Sequence, residues 1–174
     1  MEEVSLIEVM EFSLGKNVTR LKEQNEDIYT PEDFECDLTN RIITGETYGC
    51  IINLIKSKAA PITVNTEKKV ITQNFLKCKL DETKILPWYF CYKFNESKDL
   101  EQQIAMYHQG TTLSVRKLNV KTIGDLKIKL PDLEKQKLIG EGYRKSILQH
   151  ELYLKRANDI RKYTLEMLRK IEED

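Results

Sequence analysis

The stretch PDLEKQKLI, residues Pro131 to Ile139, decides how this chain is read. Pro131 stops the strand-like run GDLKIKL (124–130), because proline cannot donate to a sheet ladder. Beyond it, no proline occurs up to the C-terminal residue, Asp174. The pattern predicts one helix from about Leu133 to Glu172, about 60 Å long at 1.5 Å per residue. A 4,3 walk along it gives Ile139, Tyr143, Ser146, His150, Tyr153, Ala157, Ile160, Thr164, Met167 and Ile171. A neighbouring walk gives Ile147, Leu154, Arg161 and Leu168. Together they form a broad, partly polar stripe at a spacing close to 3.5, the signature of a helix that seeks a partner helix. Gly140 and Gly142 weaken the helix near its start and are expected to mark a bend where it leaves the domain. A helix folded back on its own domain would use two or three turns. Its far end, with Ile160, Met167, Leu168 and Ile171, would remain uncovered.

Ahead of this helix the chain reads as a mixed α+β domain, so the expected division is 1–131 and 132–174. SLIEVM carries Ser5 three before Glu8, a capping-box pattern that predicts a short helix. TPEDF offers Thr30 as N-cap with Pro31 at the first helical position. CIINLI, PITV, KKVIT and FLKCKL are short and rich in β-branched residues, as strands are. FLKCKL alternates Leu76, Cys78 and Leu80 against Lys77 and Lys79. DETKILPWYFCYKF reads as a helix with an acidic first turn, its aromatics Trp88, Tyr89, Phe90, Tyr92 and Phe94 packing a core. A further helix is expected from Asp99 to Gln109, closed by Gly110.

The 174 residues carry 28 basic and 28 acidic side chains, but the balance is uneven. Residues 1–50 hold four Lys/Arg against twelve Asp/Glu, a net of −8; residues 51–131 hold fourteen against seven, a net of +7. A basic middle segment suits an anionic partner, phosphate backbone above all, or a solvated surface. The cysteines Cys36, Cys50, Cys78 and Cys91 are far apart in sequence, which fits reduced, buried thiols and not a zinc site. No run is long and apolar enough for a membrane span, and MEEVSLIEVM lacks the basic start of a signal peptide, so a cytoplasmic protein is expected. No glycine-rich phosphate loop is present. Asp132, Glu134 and Lys135 imitate a nuclease site, but acids in a first turn simply suit the helix dipole. His108 and His150 fall on separate helices. No catalytic group, metal site or cofactor is therefore expected, and binding remains.

The candidate binding residues lie in three groups. Lys56, Ser57 and Lys58 follow one predicted strand; Lys68, Lys69, Thr72, Gln73 and Asn74 surround another. Gln109, Thr111, Thr112, Ser114, Arg116 and Lys117 sit between a helix and a strand. Lys and Arg can neutralise phosphates, Gln and Asn can bond adenine bidentately, and Arg can read guanine. The competing reading takes Gln73-Asn74 as a simple turn, Thr111-Thr112 as caps and the lysines as solvated surface.

The segment GTTLSVRKLNVKTIGDLKIKLPDLEKQKLI resembles the closing part of a target-recognition domain in the specificity subunits of type I restriction–modification enzymes. There a Gly-Thr-rich loop leads to a strand, then Pro-x-Leu-x-x-Gln, then a long spacer helix. Pro131, Leu133 and Gln136 match; Asp132 stands where a second proline is common and Lys135 where Glu is common. SLIEVMEFSLGKN is similar to the family's opening segment, with Gly15 at its glycine, and ILPWYFCYKF sits where the family has an aromatic helix.

The resemblance implies a non-catalytic, DNA-binding half-subunit with one recognition domain and one coiled-coil-like helix. It also implies an antiparallel dimer, with a copy or with a different half-subunit, through Tyr143, Ile147, His150, Leu154, Ala157, Ile160, Arg161, Thr164, Met167, Leu168 and Ile171. Double-stranded DNA, adenine methyltransferase subunits and, through them, a restriction subunit are the implied partners. The alternative from the residues alone is a non-enzymatic assembly module that dimerises through the helix and binds protein.

Overall fold

The computed structural model describes residues 2–17, 26–39, 47–108 and 118–173. The fold is α+β. Strand β1 (Glu2–Ser5) pairs antiparallel with β6 (Lys127–Leu130), and a four-stranded antiparallel sheet has the order β2 (Met10–Leu14), β5 (Phe75–Leu80), β3 (Cys50–Asn53), β4 (Lys58–Pro61). Helices α1 (Pro31–Leu38), α2 (Pro87–Glu96), α3 (Lys98–His108), α4 (Val120–Asp125) and α5 (Leu133–Glu173) complete the described elements.

Strand β3 is buried on both faces, which is why CIIN reads as a continuous apolar run and not as an alternation. Cys50, Ile52 and Leu54 enter the main core with Leu6, Leu76, Cys78, Ile85, Phe90 and Ile123. Ile51 points the other way, into a smaller core with Tyr29, Phe34, Ala60, Ile62 and Phe75 beneath α1. Thr30 caps α1 as expected, accepting the Asp33 N–H at 3.1 Å, with Pro31 at the first position. All four cysteines are free; Cys50, Cys78 and Cys91 are buried and burial pushes the Cys50 and Cys78 thiols up.

Several boundaries differ from those expected. SLIEVM makes a single 3-10 turn, Leu6–Glu8, between two strands, because the Glu8 carboxylate accepts the Ser5 N–H at 2.6 Å and β1 is claimed by β6. PITV contributes only Pro61 to β4: the hairpin closes with Asn53 opposite Lys58, and the strand ends where Cys50 meets Pro61. KKVIT makes isolated bridges, Val70 with Ile28 and Thr72 with Lys16. The acids of DETKILPWYF lie outside α2, since Asp81 accepts from the backbone N–H and hydroxyl of Thr83 in a separate turn. Helix α4 arises in VKTIGD, where Asn119 caps the Thr122 N–H at 2.7 Å.

Helix α5 is a single helix of 41 residues. It runs beside α2 in the same direction. Gly140 lies against Trp88 and Tyr89, and a Cβ there would stand 2.9 Å from the Tyr89 nitrogen. Close approach to α2 is thus a structural reason for this glycine. Tyr143, one turn on, packs its ring 6.4 Å from Trp88 and 5.7 Å from Tyr92 and accepts a hydrogen bond from Asn95 at 3.0 Å. Burial raises its pKa. Tyr143 therefore belongs to the seam with its own α2 rather than to the stripe beyond. Some residues as far as Glu151 are partly covered, and every described residue from 152 to 173 is exposed.

Three side-chain amides stand in for missing strands. Asn95 accepts the Ala59 N–H at 2.7 Å and donates to the Ala59 carbonyl at 2.8 Å, closing the free edge of β4. Gln103 does the same for Lys127 on β6, at 2.8 and 2.9 Å. Gln136, 1% exposed, accepts from Leu86 N–H at 3.0 Å and donates to the carbonyls of Lys84 and Pro131 at 2.8 and 2.9 Å. Gln136 is the last residue of the Pro-x-Leu-x-x-Gln pattern, and this clamp gives the pattern its structural reason.

Candidate nucleic-acid interface

The candidate residues lie far apart in sequence, yet two of the three groups meet around one backbone unit. The Leu54 N–H donates to the Asn74 carbonyl at 2.9 Å, and the Leu54 carbonyl accepts from the Leu118 N–H at 3.2 Å. The β3–β4 turn with Lys56 and Ser57, the turn with Gln73 and Asn74, and the chain at Leu118 are thereby brought to one end of the sheet. Tyr143 of α5 meets Asn95, which bonds Ala59 and Lys58, so the helix passes near the Lys58 end of β4.

The β3–β4 turn is shaped by Asn53. Its side-chain oxygen accepts from the backbone N–H groups of Ile55 and Lys56, both at 3.0 Å, and its carbonyl accepts from Ser57 N–H at 2.9 Å. Ser57 closes the turn at φ 53°, a left-handed conformation that a non-glycine residue adopts only where the surroundings hold it. Lys56 is half-exposed and contacts the Glu35 carboxylate. Lys58 donates to the Asn95 carbonyl at 2.7 Å and lies 3.9 Å from Glu96.

The second basic pair is split by its surroundings. Lys68 is exposed. Lys69 bonds Asp33 at 3.0 Å and lies 3.5 Å from Asp27; the Asp33 bond raises its pKa above that of an ordinary lysine. Burial alone would raise Asp33, but the Thr30 N–H and Lys69 outweigh it and hold the carboxyl below its usual range. Lys69 thus anchors the segment to α1 and is poorly placed for phosphate. Thr72 is 7% exposed, engaged in its bridge with Lys16, and faces no open surface. Gln73 is exposed and Asn74 half-buried. Gln109, Thr111, Thr112, Ser114, Arg116 and Lys117 lie outside the described residues.

Beneath this segment sits a buried carboxylate. Asp37 accepts from the hydroxyls of Tyr29, Thr63 and Thr66, each at 2.8 Å. Desolvation raises its pKa despite these three donors. It ties α1 to the turn after β4, and with Asp33–Lys69 fixes residues 62–70 from below. Its role is anchoring: among the described residues, hydroxyls are its bonding partners.

Sequence reasoning passed over two residues of this end, Asn53 and Ile55. The run CIINLI reads as strand throughout, but the strand ends at Asn53. An asparagine that can bond the backbone two residues on was the available signal for a turn. Among the described residues, no group of three His, Cys, Asp or Glu side chains could hold a metal ion, and no helix is long and apolar enough to cross a membrane.

On α5, Leu154, Ile160, Met167, Leu168 and Ile171 are between 43% and 68% exposed, with His150, Ala157, Arg161 and Thr164 exposed between them. Ile147 is half-buried near the body. The stripe continues the side of the helix that carries Ile139 and Tyr143 against the body.

No family model matches the sequence, and no curated protein matches it. Solved structures do. The HsdS subunit from Thermoanaerobacter tengcongensis superposes with a TM-score of 0.58 at 18% identity, over 90% of this chain and 39% of that one. A chain from a structure describing complex assembly and conformational transition of the type I R-M system superposes with a TM-score of 0.60 at 17% identity, over 96% of this chain and 43% of that one. The chain spans less than half the length of these proteins. Its fold is that of type I specificity subunits.

Proposed function

We propose that this chain, folded as a specificity subunit, is the DNA-reading and spacing component of a type I restriction–modification assembly: residues 1–131 bind duplex DNA and residues 132–174 pair with a second such helix. The reading assigns no chemistry to the chain itself. Methyl transfer to adenine, and any cleavage, would belong to subunits that dock on it. The observation that carries the proposal is the meeting of the 54–57 turn, Gln73-Asn74 and the chain at Leu118 around Leu54, within a segment of net charge +7. A contiguous, rigidly backed set of loops with basic character is what phosphate contact and base reading need.

Lys56 and Lys68 are the best-placed phosphate contacts. Lys56→Ala and Lys68→Ala should each weaken binding to all duplexes alike and reduce the slope of log affinity against log salt by about one. Lys69→Ala should act instead through loss of its anchor to Asp33. Titration of random-sequence duplex at several salt concentrations measures this. Salt-independent affinity, or none, would exclude DNA reading and leave a dimerising assembly module.

The exposed stripe supports the second half of the proposal. In an antiparallel pair centred near residue 159, Glu151 would lie about 12 Å from the two-fold axis at 1.5 Å per residue. Two reading ends would then face each other, matching half-sites about 10 base pairs apart on one face of the duplex. A two-fold pair reads an inverted repeat. Arg161 and His150 within the stripe suit a partner that supplies acids, so a different half-subunit is the other candidate. Sedimentation at tens of micromolar should show a dimer that Ile160→Asp with Leu168→Asp converts to a monomer. A wild-type chain that stays monomeric would rule out self-pairing.

A further inference from the structure

We infer that Ile55 is an apolar base-reading residue that packs against the 5-methyl group of a thymine in the major groove. The inference rests on the DNA-binding reading above and names the chemistry of one contact within it. Ile55 is 58% exposed at the tip of the β3–β4 turn, on the end of the sheet where Gln73 and Leu118 also arrive. Its backbone is fixed. Asn53 holds the N–H groups of Ile55 and Lys56, and Ser57 closes the turn without a glycine. Isoleucine is β-branched and stiff at its first torsion, so its methyl groups are presented at a set position rather than swept over a range.

A solvent-facing aliphatic on a loop is ordinary by itself. A rigid one next to Lys56, beside a turn carrying Gln73 and Asn74, has a chemical use. Amides recognise adenine by hydrogen bonds, whereas thymine in the major groove is distinguished by its methyl group, which only an apolar contact can read. Lys56, the next residue in the chain, is half-exposed and suits a phosphate beside the tip. The short branched side chain favours a methyl contact over insertion between stacked bases.

The test uses the whole chain. Random-sequence duplex is selected on the protein, and the recovered site is rebuilt with deoxyuridine in place of thymidine, one position at a time. Wild-type protein should bind one uracil-substituted position about fourfold more weakly, the equivalent of ~0.8 kcal/mol for one buried methyl-sized group. Ile55→Ala should bind thymine and uracil equally at that position, and Ile55→Val should retain part of the preference. Both substitutions are on the surface, and unchanged unfolding midpoints would confirm that the turn is intact. Salt-dependent duplex binding without a thymine preference at any position, or with a preference that survives in Ile55→Ala, overturns this inference alone. Absence of duplex binding overturns the DNA-reading proposal and this one with it.

Discussion

Gly15→Ala should remove about 4–6 kcal/mol of folding stability, a large share of the 5–15 kcal/mol typical of a domain. A Cβ at this position would stand 2.1 Å from the Thr72 carbonyl oxygen and 2.5 Å from that of Ile71. Both are backbone atoms, so no side chain can turn aside. Relief requires the 14–16 and 71–75 segments to separate, which breaks the bonds from Gly15 N–H to Phe75, Lys16 N–H to Ile71 and Gln73 N–H to Lys16, at 3.3, 3.0 and 3.0 Å. Each such bond contributes about 1 kcal/mol net, and the overpacking adds one to three more, in rough terms. Gly142→Ala is the control: its Cβ meets nothing within 4 Å, and alanine should stabilise the helix by about 1 kcal/mol. Urea unfolding of both variants checks the pair. An unchanged midpoint for Gly15→Ala would show that the close approach is not rigid. Because the displaced segment carries Gln73 and Asn74, the DNA-reading proposal adds that lost stability should be accompanied by lost discrimination between DNA sequences.

Gln136→Ala should cost about 3 kcal/mol, or about 10 °C in melting temperature for a chain of this size. The substitution orphans the Leu86 N–H and the carbonyls of Lys84 and Pro131 at once, in a position 1% exposed. Gln136→Glu keeps the shape but exchanges the donating amide for an acceptor that faces two carbonyls. At neutral pH it should lose at least as much as alanine. It should recover in acid, where the protonated carboxyl restores one donor. Thermal unfolding at two pH values reads both effects. If Gln136→Ala melts with the wild type, the clamp is dispensable and the first turn of α5 is held by the Gly140 contact with α2 instead.

How much of this could be read from the chain depended on whether a feature is local. The Thr30-Pro31 cap, the alternation of FLKCKL and the uninterrupted α5 are properties of neighbouring residues, and all are present as expected. The Pro-x-Leu-x-x-Gln pattern pointed to Gln136 without revealing that two of its three partners, Leu86 and Lys84, lie 50 and 52 residues upstream. Tyr143 falls on the stripe by spacing, yet packs against its own α2, because periodicity does not say which neighbour covers a face. Gly140 shows the same limit: weak helix propensity was visible, the approach of Trp88 was not. At the candidate interface the residue types could be seen, but their meeting at Leu54 is a product of strand order. Lys69 and Thr72 were spent on anchoring for the same reason.

The amide of Asn95 has a consequence for how copies of this protein meet. An uncovered β4 would offer its backbone to the β4 of a second molecule, and two four-stranded sheets could fuse edge to edge into one of eight. Such a union is carried by backbone hydrogen bonds and is largely indifferent to side chains. Asn95 occupies the Ala59 donor and acceptor from within the chain. Association through this edge is thereby suppressed, and the pairing proposed for α5 would depend on its side chains alone.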